Sequence, residues 1–470
     1  MSCFLRGMSR RGFVSAGVAA AAWGTLRGYG QTPPDGPSID GFFNEFTAEW
    51  VRHNPNLATS TRYFSGEEQD RLERQLTPET RAFQLERIAL ARRGLARLRN
   101  FNRASLSETQ RISADLMEWQ LDEVVQEEPF LDYSFPLEQM NGANVGLVET
   151  LTVRHPLATQ RDAENYVAAL GEVPARMREA VEEARRLEGK GIRPPRFILD
   201  ATVKQMQGFI DPAPARNPFA TSLDDKMAAI HSLSDAQRRE LHAAARKIVG
   251  DQVYPAWKTA IALLDSQRAK ATDDAGLWRL KGGADAYAYF LQRFTTTNQT
   301  AAEIHQIGLD QVQALNGRMD ALLRKLGRAD GSVKGRIEQL KVDLRYPNPA
   351  SEESRARIMR DIDGILAGAQ KRAALLFDLR PKSPVIARPF PKFREDNAAA
   401  NYNRPAPDGS RPGVFQISAA ARQNDQVHAA QHGVSRDGAG APFSDRAADR
   451  EQSAAAFPAD RRVRWNFGVE

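Results

Sequence analysis

In "VHAAQHGVSRDGAG", Val427 to Gly440, His428 and His432 stand four residues apart. That spacing places two imidazoles on one face of a helix, as zinc ligands are placed in zinc peptidases. An H-E-x-x-H site also needs a glutamate straight after the first histidine, to act as general base on metal-bound water. Here that position is Ala429. No third ligand stands at a readable spacing, so the pair is not read as a metal site. No catalytic or metal-ligating residue, and no cofactor, is assigned to the chain as it stands.

The other histidines are scattered. His53, His155, His231 and His242 lack a second His or Cys at ligand spacing and read as packed or surface residues. Three residues are candidates for contact with a substrate: His305, beside Glu303 in the first turns of a helix, and Tyr402 and Arg411, which flank "NRPAPDGS". For Tyr402 and Arg411 the competing role is packing or turn stabilisation. The runs "EEQDRLERQL" and "REAVEEARRLEGK" read as solvated helix faces, not as catalytic carboxylate pairs.

These residues must be positioned by helices. From Ser38 to about Lys371 the pattern is helical nearly throughout, which predicts a mainly α body with a short β element near residues 384–417. Ser65–Glu68, Ser107–Gln110 and Thr300–Glu303 each fit a capping box. "PETRAFQLERIALARRGLARL" sets Leu85, Ile88, Ala91, Leu95 and Leu98 on one face, with Arg93 and Arg97 opposite. "SDAQRRELHAAARKIVGDQVYPAWKTAIALLDSQ" reads as one long helix or two, broken near Pro255. "TAAEIHQIGLDQVQALNGRMDALLRKLG" carries Ile304, Ile307, Val312, Leu315, Met319 and Leu323 as its expected core stripe. Strand patterns occur only in "SPVIARPF" and "RPGVFQI". There is no fixed-period repeat and no Gly-rich phosphate loop.

The N-terminus reads as an export signal. "MSRRGFVSAGVAAAAWG" has paired Arg10 and Arg11, then an apolar run shorter than the ~20 residues a membrane span needs. Residues 1–30 are taken as a twin-arginine signal, which makes the export machinery a partner and the mature product periplasmic or secreted. The formal charge of +6 includes Arg6, Arg10, Arg11 and Arg27, with no acid before residue 31. The remaining +2 gives no ground for a nucleic-acid partner. Cys3, the single cysteine, also lies in the leader, so the mature chain forms no disulfide. No later stretch reads as an integral membrane span.

Three blocks carry a resemblance: "FNEFTAEWVRHNPNLATSTRYF", "YFLQRFTTTNQTAAEIHQIGLDQV" and "NYNRPAPDGSRPGVFQI". Together they resemble domain-of-unknown-function family 885 over about Ile39 to Ile417. The resemblance implies an exported, helical protein similar to gluzincin metallopeptidases, with peptides as possible substrates. It further implies an H-E-x-x-P-G-H-H-like helix after R-P-G-x-F and a later glutamate. Two histidines and that glutamate would hold zinc in an intact relative.

The expected motif is missing where it should begin. From Ser418 to Glu470 there is no Leu, Ile, Met, Lys, Tyr or Thr, a composition with little from which to build a core. Written as degenerate codons and stepped one base forward, Gly433 onward permits A-F-H-E-T-V-P-G-H-H followed by F-Q-I-A-L-Q-I-E. Three regions follow: the 1–30 signal, an incomplete helical domain at 38–417, and a frameshifted, unstructured tail at 418–470. The functional reading is the N-terminal portion of an exported zinc-dependent peptidase or hydrolase, inactive as given. The alternative is a non-catalytic periplasmic helical module that binds peptides or partners.

Overall fold

The computed structural model describes residues 38–346, 351–375, 383–391, 395, 400–405 and 411–419. The chain opens with α1 (Ile39–His53), α2 (Pro55–Thr61) and α3 (Gly66–Glu73), followed by α4 (Arg81–Arg99) and α5 (Glu108–Gln126). On α1, Phe42, Phe46 and Trp50 recur every fourth residue and meet Ile88, Leu95 and Leu98 of α4 and Met117 and Leu121 of α5 in one apolar core. Gly94 allows that approach, because a Cβ there would lie 2.4 Å from the Phe46 ring. The expected α4 face is buried except for Leu85, which is exposed. Opposite it, Arg93 and Arg97 reach back to Glu49 and Glu45 of α1.

A larger core is built by α6 (Ala143–Glu149), α7 (Gln160–Gly189), α8 (Arg196–Ile210), α9 (Pro218–Met227), α10 (Asp235–Ile248) and α11 (Tyr254–Arg268). The chain stays helical past Pro255, but Val249–Val253 opens into a π-turn just before it. Proline lacks the N–H of a regular turn and its ring crowds the preceding carbonyls, and the wider turn relieves both conflicts.

Then come α12 (Gly283–Thr295), α13 (Ala301–Lys325), α14 (Val333–Asp343) and α15 (Glu352–Ala373). A three-stranded sheet of β1 (Val385–Pro389), β2 (Asn401–Asn403) and β3 (Gly413–Ile417) has β3 in the centre, parallel to β1 and antiparallel to β2. Ile358, Ile362 and Leu366 of α15 pack with Phe415 and Ile417 of β3. The mainly α expectation and the position of the β element both hold. β2 carries no strand signal of its own; its three residues are extended because β3 offers an edge to pair with.

Two expectations are corrected. The boxes at Ser107 and Thr300 form, but Ser65 makes no side-chain cap, and Glu68 is drawn instead to Arg52, at 2.7 Å. The predicted core stripe of α13 is not a core: only Leu323 is buried. That helix packs chiefly on α14, and no described element covers the rest of its apolar side. Just past β3, Ser418 and Ala419 are buried and the Ala419 N–H donates to Glu395. The leader and residues 420–470, with His428 and His432, lie outside the described residues.

Candidate functional site

The densest polar cluster lies where α2 and α3 meet α7 and α9. Arg62, in the left-handed conformation that ends α2 (φ 48°), points its guanidinium between Glu73 of α3 and Asp162 of α7. Glu73 also accepts from Gln69 at 2.9 Å and from Asn165 at 3.3 Å. Asp162 takes the Ala158 and Thr159 N–H groups at 2.7 and 2.9 Å, closing the capping box that starts α7. Burial raises the Glu73 carboxyl above its ordinary value, against the pull of Gln69 and Arg62. Raised carboxyls mark acid–base sites elsewhere. Here every carboxylate oxygen of the pair already has a protein donor, so the cluster holds three helices together and offers nothing to a substrate.

Behind it, α6 ends in a second π-turn, Thr150–Arg154, close to the Leu151 and His155 carbonyls. The Lys226 ammonium of α9 donates to both, at 3.2 and 2.9 Å. Burial, with Arg411 and Arg388 nearby, pulls Lys226 down to about 7. The fully buried His155 ring sits edge-on to Tyr166 at 5.4 Å, between the Pro156 and Glu73 carbonyls. Burial and Lys226 hold it neutral, at about 4.

Both groups are therefore less basic folded than unfolded. The unfolded chain takes up the extra proton between pH 4 and 6.5 at His155, and between pH 7 and 10.5 at Lys226. Stability must rise with pH through both windows. Urea unfolding should show a gain of up to about 3 kcal/mol from pH 4 to 6.5. The Lys226→Met variant should lose the upper slope and keep the lower one. A flat profile from pH 4 to 6.5 would refute the role given to His155.

The sheet docks on this cluster. Arg411, at the start of β3, donates to the Ser60 carbonyl of α2 at 3.2 Å, and Asn401 of β2 donates to Glu149 of α6 at 3.2 Å. Arg355 grips Glu395 with two bonds, at 2.9 and 2.7 Å. A small hollow of about 10 Å³, room for little more than one water, lies between the π-turn and β3, lined by Val148, Glu149, Thr152, Pro391 and Gln416. Tyr402 lies opposite Phe415, and its ring covers Gly413, where a Cβ would meet the phenol oxygen at 2.5 Å. Any larger residue at the glycine of R-P-G-x-F would have to displace the tyrosine.

The fold brings Tyr402 and Arg411 to the same strand pair, where each has a packing role. His305 is exposed on α13 and belongs to a different surface. His242 is bound to Asp224 at 2.8 Å and ties α10 to α9. Glu73 and Gln69, read from "EEQDRLERQL" as part of a solvated face, are buried. A signal existed: Gln69, Leu72 and Leu76 share a face with Glu73, at helical spacing. Among the described residues no group of three or more His, Cys, Asp or Glu could hold a metal ion.

The family described as "Bacterial protein of unknown function (DUF885)" matches residues 55–434, most of the chain. The chain belongs to DUF885. The match begins later than the expected Ile39 and runs past Ile417, so DUF885 likeness extends into the segment read as frameshifted. Of solved structures, "the putative lipoprotein from Colwellia psychrerythraea" shares the fold, with a TM-score of 0.74 at 20% identity over 83% of this chain and 69% of that one. "A putative lipoprotein of unknown function from Shewanella oneidensis" aligns at a TM-score of 0.49 and 17% identity, over 84% of this chain and 67% of that one. No curated protein matches. No helix among the described residues is long and apolar enough to cross a membrane.

Proposed function

We propose that this chain is the N-terminal part of an exported zinc-dependent peptidase or related hydrolase, and that in its present form it does not hold the metal. One observation carries the reading. β3, with all five residues buried at the centre of the sheet, delivers the chain to the place where the resembling family starts its ligand helix. Within a few residues the composition changes to one without Leu, Ile or Met, while a one-base step permits the whole motif. Export is supported by the paired arginines of the leader and by the lipoprotein description of the Colwellia protein.

A catalytic zinc site takes about three protein ligands and an open position for water. The metal supplies hydroxide at neutral pH; the chain's part would be to orient the ligand helix from β3 and to seat a peptide beside it. The test is metal analysis and a peptidase assay on this chain beside a version with the single base corrected. This chain should carry little zinc and show no metal-dependent turnover, and the corrected chain should carry about one zinc and turn over. Stoichiometric zinc with chelator-sensitive activity in the uncorrected chain would sink the proposal. A corrected chain without zinc or activity would favour the alternative, a helical binding module.

A further inference from the structure

On α5, Ile112, Leu116, Trp119 and Glu123 recur at helical spacing and share one face, turned away from the core residues Ala114, Met117 and Leu121. α12 occupies the C-terminal end of that face. The Tyr289 hydroxyl donates to the Glu123 carbonyl at 3.2 Å, and the Arg293 guanidinium lies 3.5 Å from the Glu123 carboxylate. Just beyond α5, Phe130 stacks on Tyr289 at 4.5 Å, and the Tyr133 hydroxyl donates to the Lys281 carbonyl. The contacts fall in reverse order along the two segments, so α12 travels back along α5 toward Trp119. It stops at Thr295, and Ile112, Leu116 and Trp119 are left 43%, 53% and 47% exposed.

One residue turns the chain off this track. Thr296, at φ 51°, is left-handed, a conformation that crowds a β-branched side chain. Its N–H closes α12 on the Gln292 carbonyl at 2.8 Å. The next helix, α13, carries Ile307, Val312 and Leu315 exposed and packs chiefly on α14, across a joint that contains Gly327 and Gly331, both at positive φ. Two apolar helix faces of one chain thus lie uncovered on the two sides of the α12 terminus, with a strained residue between them. Their shared helical period suits one to pack on the other. We propose that the α13–α14 hairpin is a hinged strap. Pivoting at Thr296, α13 continues the track of α12 and lays Ile307, Val312 and Leu315 over Ile112, Leu116 and Trp119 of α5. The arrangement described above is its open state, and burial of both faces at once drives closure. The strap does not depend on the peptidase reading.

Disulfide trapping in the full chain tests it, with Cys3, the single cysteine, changed to serine. Leu116→Cys with Leu315→Cys should cross-link within one chain about 10-fold faster than Leu116→Cys with Gln313→Cys, because Gln313 lies on the other side of α13 and a disulfide needs close, facing Cβ atoms. Thr296→Gly removes the strain of the open state and should slow trapping about fivefold. Trp119→Asp sets a carboxylate in the closed contact and should slow it as well. Equal rates for the two cysteine pairs would overturn the strap. So would a Thr296→Gly chain that traps as fast as its parent, or a disulfide that forms only between two chains.

Discussion

Replacing Trp257 with alanine is expected to remove about 3–5 kcal/mol of stability, while phenylalanine at the same position removes about 1 kcal/mol or less. Trp257 is fully buried in the larger core and stacks on Phe209 at 5.0 Å. Truncation to alanine leaves a cavity that the surrounding α7 and α8 side chains cannot close without moving. The indole also carries a penalty of its own: Nε1 is buried with no hydrogen-bond partner among the described residues. An unsatisfied buried donor costs about 1–3 kcal/mol. Phenylalanine forfeits some volume but also removes that donor, so the two changes offset. Denaturant unfolding of both variants decides it. Equal losses would mean that the indole N–H does find a partner, and that the packing argument alone is insufficient.

The second large effect is at Asp162. Asp162→Ala should cost about 3–5 kcal/mol, because it leaves Arg62 partly buried with one counter-charge fewer and two N–H groups at the start of α7 without an acceptor. Arg62→Met alone should also be costly, since Glu73 loses its cation inside the fold. Its carboxyl is already raised by burial, and loss of the Arg62 cation would raise it further. The double variant should cost less than the two single losses added together, by about 1–3 kcal/mol. Additive losses in that cycle would show that Arg62 and Asp162 do not act as one unit.

The helices were legible because their signals are local. Ser107 with Gln110 and Thr300 with Glu303 close their boxes within four residues, and the α4 stripe recurs at the helical period. "SPVIARPF" and "RPGVFQI" were legible as strands, although their parallel pairing was not. The Ser65 box failed because Arg52, sixteen residues earlier, competes for Glu68. Tyr402 and Arg411 meet at one sheet, but their neighbours are Gly413 and Ser60, and the Arg411 bond spans 351 residues of sequence.

The sequence by itself determined where helices start, how their apolar faces recur, and that the composition changes after Ile417. Each is a property of one segment and its own solvation. Burial needs a second surface, and only the tertiary structure supplies it. Glu73 and Asp162 became one cluster because Arg62 and Asn165, distant along the chain, converge on them. The α4 and α13 stripes have the same period, yet one is core and the other exposed, because α1 and α5 cover the first and no described element covers the second.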